Sequence, residues 1–203
     1  LDVSEIIYLE TLQCYNNQIK ELNVRNSSLL RTLNCSSNKL TELDCSNNPN
    51  LKEIYCLDNQ LTKLNLGNNP RLKELRCWSN QLTDLDLSNN LSLKMLDCQS
   101  NQLTDLDLSD NLSLKMLNCQ SNQLTQLDLS NNKKLKEVYC ENQNVITSVP
   151  SVLQDGAYVV DLKALLGEGT EFSRARMQDG GALDQSTGLV SYARQPIPIR
   201  YQF

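Results

Sequence analysis

Residues 93–111 read LKMLDCQSNQLTDLDLSDN: Leu93, Leu96 and Cys98 lead to Asn101, then Leu103, Leu106 and Leu108 lead to Asn111. LxxLxCxxN therefore runs straight into LxxLxLxxN, and one unit is two similar halves of 11 and 10 residues. Outward from this stretch, Cys recurs at 14, 35, 56, 77, 98, 119 and 140, a step of 21 residues held six times, with Cys45 alone outside the series. Three residues after each Cys stand Asn17, Asn38, Asn59, Asn80, Asn101, Asn122 and finally Gln143. The other half carries Ser27, Asn48, Asn69, Asn90, Asn111 and Asn132. The composition has the same signature, with 38 Leu and 24 Asn against Phe172 and Phe203 as the only Phe. In this register the array runs from about residue 9 to 149, where Ser148 and Pro150 replace the Leu pair.

A unit of 21 residues is too small to bury its own Leu, whereas stacked copies set Leu on Leu and build a continuous core, so the expected architecture is a solenoid of one coil per unit. The xLxCx and xLxLx stretches alternate inward and outward side chains as strands do, and the intervening sequence is too short and polar for a helix of several turns. Parallel strands are expected along at least one wall. Each Asn column falls where the chain turns, where an inward amide satisfies backbone groups that the turn leaves unpaired. Asn50 lies outside both columns, and Asn50→Leu is expected to be nearly silent.

Disulfides, metal and core packing are the three readings of the Cys column. Side chains on successive coils point the same way at about 4.8 Å, while a disulfide requires converging Cβ atoms at about 3.8 Å. Short CxxC spacings and His are both absent, which disfavours zinc. Core thiols are the expected outcome, and Cys45, at the position of Val24, Leu66, Leu87 and Leu108, fits the same reading. No metal and no cofactor is expected. Asp44, Asp86, Asp107 and Asp128 bring single carboxylates from separate coils, too few ligands for calcium.

With 19 Lys+Arg against 24 Asp+Glu the net charge is −5, so no basic face for nucleic acid is expected. The lack of His removes the usual general base and every Ser/His or Cys/His dyad, and the chain is not expected to be an enzyme. No apolar run approaches the roughly 20 residues that span a bilayer, so no membrane insertion is expected. The chain opens at Leu1 without signal-peptide character, as a processed or excised chain does. After residue 150 there is no Cys and no Asn, but six of the seven Gly. Val159, Val160 and Leu162 suggest a strand; Gly180-Gly181 and Asp184 to Gly188 suggest turns; and Ile197, Ile199, Tyr201 and Phe203 alternate up to the chain end, as if the natural protein continued. Two domains are expected: a solenoid over 1–149, and over 150–203 a strand-rich cap or the start of a β-sandwich-like module.

The unit in Leu93 to Asn111 resembles leucine-rich repeats, and its Cys column at a 21-residue period is similar to the cysteine-ladder internalins and related Gram-positive surface proteins. The resemblance covers about 140 of 203 residues and is more specific for fold than for function. It implies a leucine-rich-repeat β-solenoid of 21-residue coils with a parallel sheet, little or no helix and a small strand-rich C-terminal segment. It also implies a bacterial secreted or cell-surface location. Because the two halves are nearly symmetric, periodicity leaves the sheet-bearing wall open; the resemblance assigns the concave sheet to the Cys half.

Outward positions of the Cys half form three varied rows, while the other half offers mostly acids and hydroxyls such as Asp86, Ser88, Asp107 and Ser109. In the middle of the varied wall, Tyr55, Leu57, Arg76, Trp78 and Met95 combine apolar area with a charge that stacks on rings or forks onto carboxylates, and Glu53, Glu74 and Asp97 surround them. Trp, Tyr and Arg dominate binding hot spots, so these eight residues are the candidate partner patch. The expected function is recognition of a protein partner, in adhesion, by a monomer. A carbohydrate module that stacks sugars on Trp78 and Tyr55 and a passive surface spacer are the alternatives. Arg31, Lys52, Lys73, Lys94, Lys115 and Lys136 form a basic row, which reads as a solvated edge offset by Glu53, Glu74 and Glu137.

Overall fold

The computed structural model describes residues 1–124, 127–140 and 142–143, together with the strand residues named below for the C-terminal part. Seven strands precede the seven serial Cys: β1 (Thr11–Gln13), β2 (Thr32–Asn34), β4 (Glu53–Tyr55), β6 (Glu74–Arg76), β7 (Met95–Asp97), β8 (Met116–Asn118) and β9 (Glu137–Tyr139). They form one parallel sheet in the order β1-β2-β4-β6-β7-β8-β9. Every pairing joins residues 21 apart without slippage, as in Leu75 with Leu96 and Leu96 with Leu117. This is the 21-residue coil made physical. The sequence period equals the path length of one turn, so identical positions stack.

Leu33, Ile54, Leu75, Leu96 and Leu117, the middle residues of the inner strands, are fully buried, and Leu30, Leu51, Leu72, Leu93 and Leu114 pack beside them. Each such side chain contributes about 1.5–3 kcal/mol by leaving water. All eight Cys are free and buried, on the same core. Burial pushes the Cys45 and Cys77 thiols up to about 12 and raises those of Cys35, Cys56 and Cys98 well above their ordinary value.

The other wall is built differently. Its only named strands among the described residues are β3 (Glu42–Asp44) and β5 (Lys63–Asn65), which pair with each other, and an isolated bridge joins Asp2 to Asn23. Side chains cap the turns of that wall in early and later coils alike, as Asp44 does for the Ser46 N–H at 3.0 Å. Asp86, Asp107 and Asp128 accept the backbone N–H of Ser88, Ser109 and Ser130 at 3.0, 2.9 and 2.8 Å. These hydrogen bonds, from the Ser88 hydroxyl first in the case of Asp86, hold the three carboxyls below the ordinary carboxylate value. The Asp column is therefore a set of turn caps.

One coil departs from this rule. Asn65 turns its amide to Asp44, and Gly67 takes φ +55. A Cβ on Gly67 would lie 2.8 Å from both Cα and Cβ of Ser46, so the coils approach too closely there for a side chain. Elsewhere the backbone N–H of Asn48, Asn90, Asn111 and Asn132 bonds the carbonyl three residues earlier. At this turn the side chain of Asn69 takes the Leu66 carbonyl instead.

Past the array the pairing becomes antiparallel. β10 (Val152–Gln154), β11 (Ala157–Asp161), β14 (Leu189–Tyr192) and β13 (Ala182–Asp184) form a four-stranded sheet in that order, and β12 (Arg176–Met177) pairs with β15 (Tyr201–Gln202). Val159 and Val160 lie in β11 and Tyr201 opens β15. Leu162, Ile197, Ile199, Phe203 and the turn signals at 180–181 and 185–188 lie outside the described residues. No helix occurs among the described residues, and none is long and apolar enough to cross a membrane.

Candidate binding face

The wall that carries the candidate patch is held from within by the Asn column that follows the Cys strands. Asn80 donates its Nδ2 to the carbonyls of Cys56 and Cys77, both at 3.0 Å, and accepts from the Leu61 N–H at 2.9 Å. Asn101 repeats this with Cys77, Cys98 and Leu82, and Asn122 with Cys98, Cys119 and Leu103. At the last coil Gln143 makes the equivalent bonds to Cys119, Cys140 and Leu124. Each amide ties a coil to its predecessor in both directions, with the apolar column packed behind it. Immediately before each of these Asn, at Ser37, Asp58, Ser79, Ser100 and Ser121, the backbone adopts φ between 52 and 54, which turns the chain off the sheet.

This frame fixes the outward residues as a lattice. Glu53, Glu74 and Met95 are register partners on β4, β6 and β7, and so are Tyr55, Arg76 and Asp97. Leu57 and Trp78 follow one position past Cys, where the pairing continues through the Asp58 N–H to the Trp78 carbonyl at 3.1 Å. All eight candidate residues thus share one face of three successive coils, and each is half-buried. Glu141, expected in the same outer row, lies outside the described residues.

Arg76 is engaged with neighbours inside the patch. Its Nε donates to Glu74 Oε1 at 2.7 Å, one terminal nitrogen lies 3.6 Å from Met95 Sδ, and its Cζ sits 5.7 Å from the centroid of the Tyr55 ring. The side chain is clamped across three strands before any partner arrives. Burial, then the Glu74 and Glu53 carboxylates, push the Tyr55 phenol up. Burial also raises the Asp97 carboxyl, opposed by the Gln99 N–H and by Arg76. Thr32 donates to Glu53 at 3.4 Å.

Gln99, the ninth position of this three-by-three lattice, is absent from the sequence reading of the patch. It accepts from Asn118 Nδ2 at 2.9 Å and its N–H caps Asp97 at 3.4 Å, so it braces the patch on the side of the next coil. Adding 21 to Trp78 finds it. Asn50, outside both columns, has polar partners of its own: it donates to the Ser28 carbonyl at 2.9 Å and accepts from Arg71.

On the opposite wall an open groove of about 330 Å³ runs between residues 84–88 and 105–111, lined by Asp84, Asp86, Asp105, Asp107 and Asp110. Among the described residues no group of three or more His, Cys, Asp or Glu is placed to hold a metal ion.

No protein-family model and no curated protein matches the sequence. Solved structures do match. An internalin of Listeria monocytogenes superposes with a TM-score of 0.60 at 23% identity over 68% of this chain and 43% of its own. A leucine-rich-repeat protein of Leptospira interrogans gives 0.56 at 25% identity over 66% and 43%. The fold is a leucine-rich-repeat β-solenoid. The functional domain of InlJ from Listeria monocytogenes, described as including a cysteine ladder, aligns over 95% of this chain and 76% of its own at 20% identity, with a TM-score of 0.35. The structural neighbours of this leucine-rich-repeat solenoid are thus bacterial internalin and leucine-rich-repeat proteins, and the chain spans less than half the length of the first two.

Proposed function

We propose that the chain is a recognition module of a secreted or cell-surface bacterial protein, acting as a monomer in adhesion and gripping a protein partner through the outer face of the Cys-strand sheet. The observation that carries this reading is the clamped cluster of Tyr55, Glu74, Arg76 and Met95, beside Leu57 and Trp78, on a rigid three-coil lattice. Preorganised Arg and aromatic side chains lose little freedom on binding, which is the property of hot spots. The patch also carries Glu53 and Asp97, so a partner with an apolar anchor and basic neighbours suits it. The guanidinium over the Tyr55 ring occupies one face of that ring, which counts against Tyr55 as a sugar platform. The solenoid over 1–149 supplies the face, and 150–203 is the cap or the start of a further β module. The reading involves no catalysis, no cofactor and no nucleic acid.

The test is capture of partners by the wild type and by Trp78→Ala, followed by titration of the captured protein. Trp78→Ala and Arg76→Ala each weaken binding by about 1–4 kcal/mol with a nearly unchanged thermal midpoint. Asp84→Ala and Asp105→Ala, on the exposed opposite wall, change it little. Binding that survives both patch variants and is lost through the Asp wall would reverse the faces. Indifference to all four would favour the spacer.

A further inference from the structure

We propose that the basic row on the edge of the Cys-strand sheet is a binding strip for a linear anionic polysaccharide, separate from the protein-binding face. The backbone fixes the row. The N–H of Lys52, Lys73, Lys94, Lys115 and Lys136 each bonds the carbonyl of the cation one coil earlier at 2.8 Å, so their Cα atoms follow one another at about the strand pitch of 4.8 Å. Arg31 opens the row and is paired with Glu10 at 3.5 Å. None of the five Lys has an ion pair among the described residues, although Glu53 and Glu74 adjoin Lys52 and Lys73 in sequence. Glu74 is taken by Arg76 and Glu53 accepts from Thr32.

In the middle coils the acid next to the row gives way to Met95 and then Met116; on the last coil Glu137 adjoins Lys136, and Lys133 and Lys134 join the row there. Lys73, Lys94, Lys115, Lys133, Lys134 and Lys136 are all exposed. Like charges held at strand pitch repel one another, and a chain of net charge −5 has ample carboxylates with which to pair them. Leaving them unpaired in a straight line suits an extended polymer whose charges recur at a similar pitch, as in a polysaccharide with one anionic group per sugar. Ser92 and Ser113, two positions before Lys94 and Lys115, bring hydroxyls beside the strip for sugar hydroxyls. No aromatic residue adjoins those two Lys in sequence, which disfavours single-stranded nucleic acid, because that ligand requires stacking platforms.

The full chain is titrated with heparin (sulfated) and with polygalacturonate (carboxylated) at about 0.15 M salt, with dextran as the neutral control. Saturable binding of either polyanion is expected, weakening as salt rises. The triple variant Lys94→Gln/Lys115→Gln/Lys136→Gln loses at least about tenfold in affinity, while Lys20→Gln/Lys39→Gln/Lys63→Gln, an equal charge change at scattered exposed positions, loses less than about twofold. Trp78→Ala leaves polysaccharide binding unchanged, which separates this strip from the protein-binding face. Equal losses in the two triple variants, absence of saturable binding, tighter binding of an oligothymidylate of the same charge, or loss through Trp78→Ala alone would overturn the proposal. Unchanged thermal midpoints confirm that each variant is folded.

Discussion

Asn101 and Asn90 belong to neighbouring coils and look alike in sequence, but they stand on opposite sides of the solenoid and have different surroundings. The amide of Asn101 bonds the carbonyls of Cys77 and Cys98 and the N–H of Leu82, while neither amide atom of Asn90 has a hydrogen-bond partner. The difference extends along both columns. On the Cys side each inner Asn both donates to and accepts from the neighbouring coil. On the other side Asn48, Asn111 and Asn132 only donate, and the amide oxygens of Asn48 and Asn132 are unpartnered. The Cys wall has a continuous sheet that holds its turns at fixed spacing, so an amide can reach both neighbours. Among the described residues the other wall has paired strands only at β3 and β5, and its Asn reach carbonyls alone. A buried amide contributes through the partners its backbone frame presents, and equal spacing in sequence does not guarantee them.

The largest test of this contrast is alkaline. Thiols titrate near pH 8.5 in an unfolded chain, and burial raises those of the Cys wall, to about 12 for Cys77. Above pH 8.5 the unfolded state therefore holds fewer protons than the folded one, and stability falls as pH rises, by about 1.4 kcal/mol per pH unit for each fully shifted thiol. That stability is fully present below pH 8.5. Denaturation midpoints are expected to drop steeply between pH 8.5 and 10, with a shallower slope in Cys77→Val. A flat profile would show that the thiols are less enclosed than the fold implies. Thiol titration under denaturant, equal with and without reductant, checks that all are reduced.

Substitution of the two columns sharpens the comparison at the next level. Asn101→Leu strands two carbonyls and an N–H in the core and is expected to cost about 2–4 kcal/mol, against about 1–2 for Asn111→Leu. Asn90→Leu removes a buried amide that has no partner, so it is expected to be neutral or slightly stabilising. Urea midpoints measure all three, and equal values for Asn101→Leu and Asn90→Leu would erase the distinction between the walls.

Much of this architecture is legible in the sequence because inward and outward alternation is a property of side chains. The 21-residue period marks the seven strands, both Asn columns and the buried thiols, and it predicts which outward residues share a row. Periodicity carries no information on whether neighbouring backbones pair, so the near-symmetric halves conceal that the sheet on the second wall stops after β5. The eight candidate residues are brought onto one face as the spacing implies. The clamp on Arg76 depends on rotamers reaching across three coils, and neither spacing nor composition encodes that. The polar partners of Asn50 are hidden for the same reason.

The smallest expected effect concerns the left-handed turns under the Cys wall. Ser100 holds φ 54, a conformation that Asn tolerates better than Ser. Ser100→Asn is expected to stabilise by up to about 1 kcal/mol, read as a raised thermal midpoint, with the face above unaltered. A lowered midpoint would mean that the Ser side chain has a role in the turn beyond its backbone.

Gly67 has a consequence for cooperativity. Its left-handed turn hands the Leu66 carbonyl to Asn69, the carbonyl 24 residues before Asn90 that Asn111 and Asn132 find at their own equivalents, Leu87 and Leu108. The second wall's amide relay is cut at that coil, close to where its paired strands end. A solenoid behaves as a one-dimensional chain of nearest-neighbour couplings, and such a chain separates first at its weakest joint. The Cys-side sheet runs across the joint unbroken, so the weaker coupling between the coil of Leu66 and that of Asn90 is confined to the second wall, and the candidate face stays one continuous lattice.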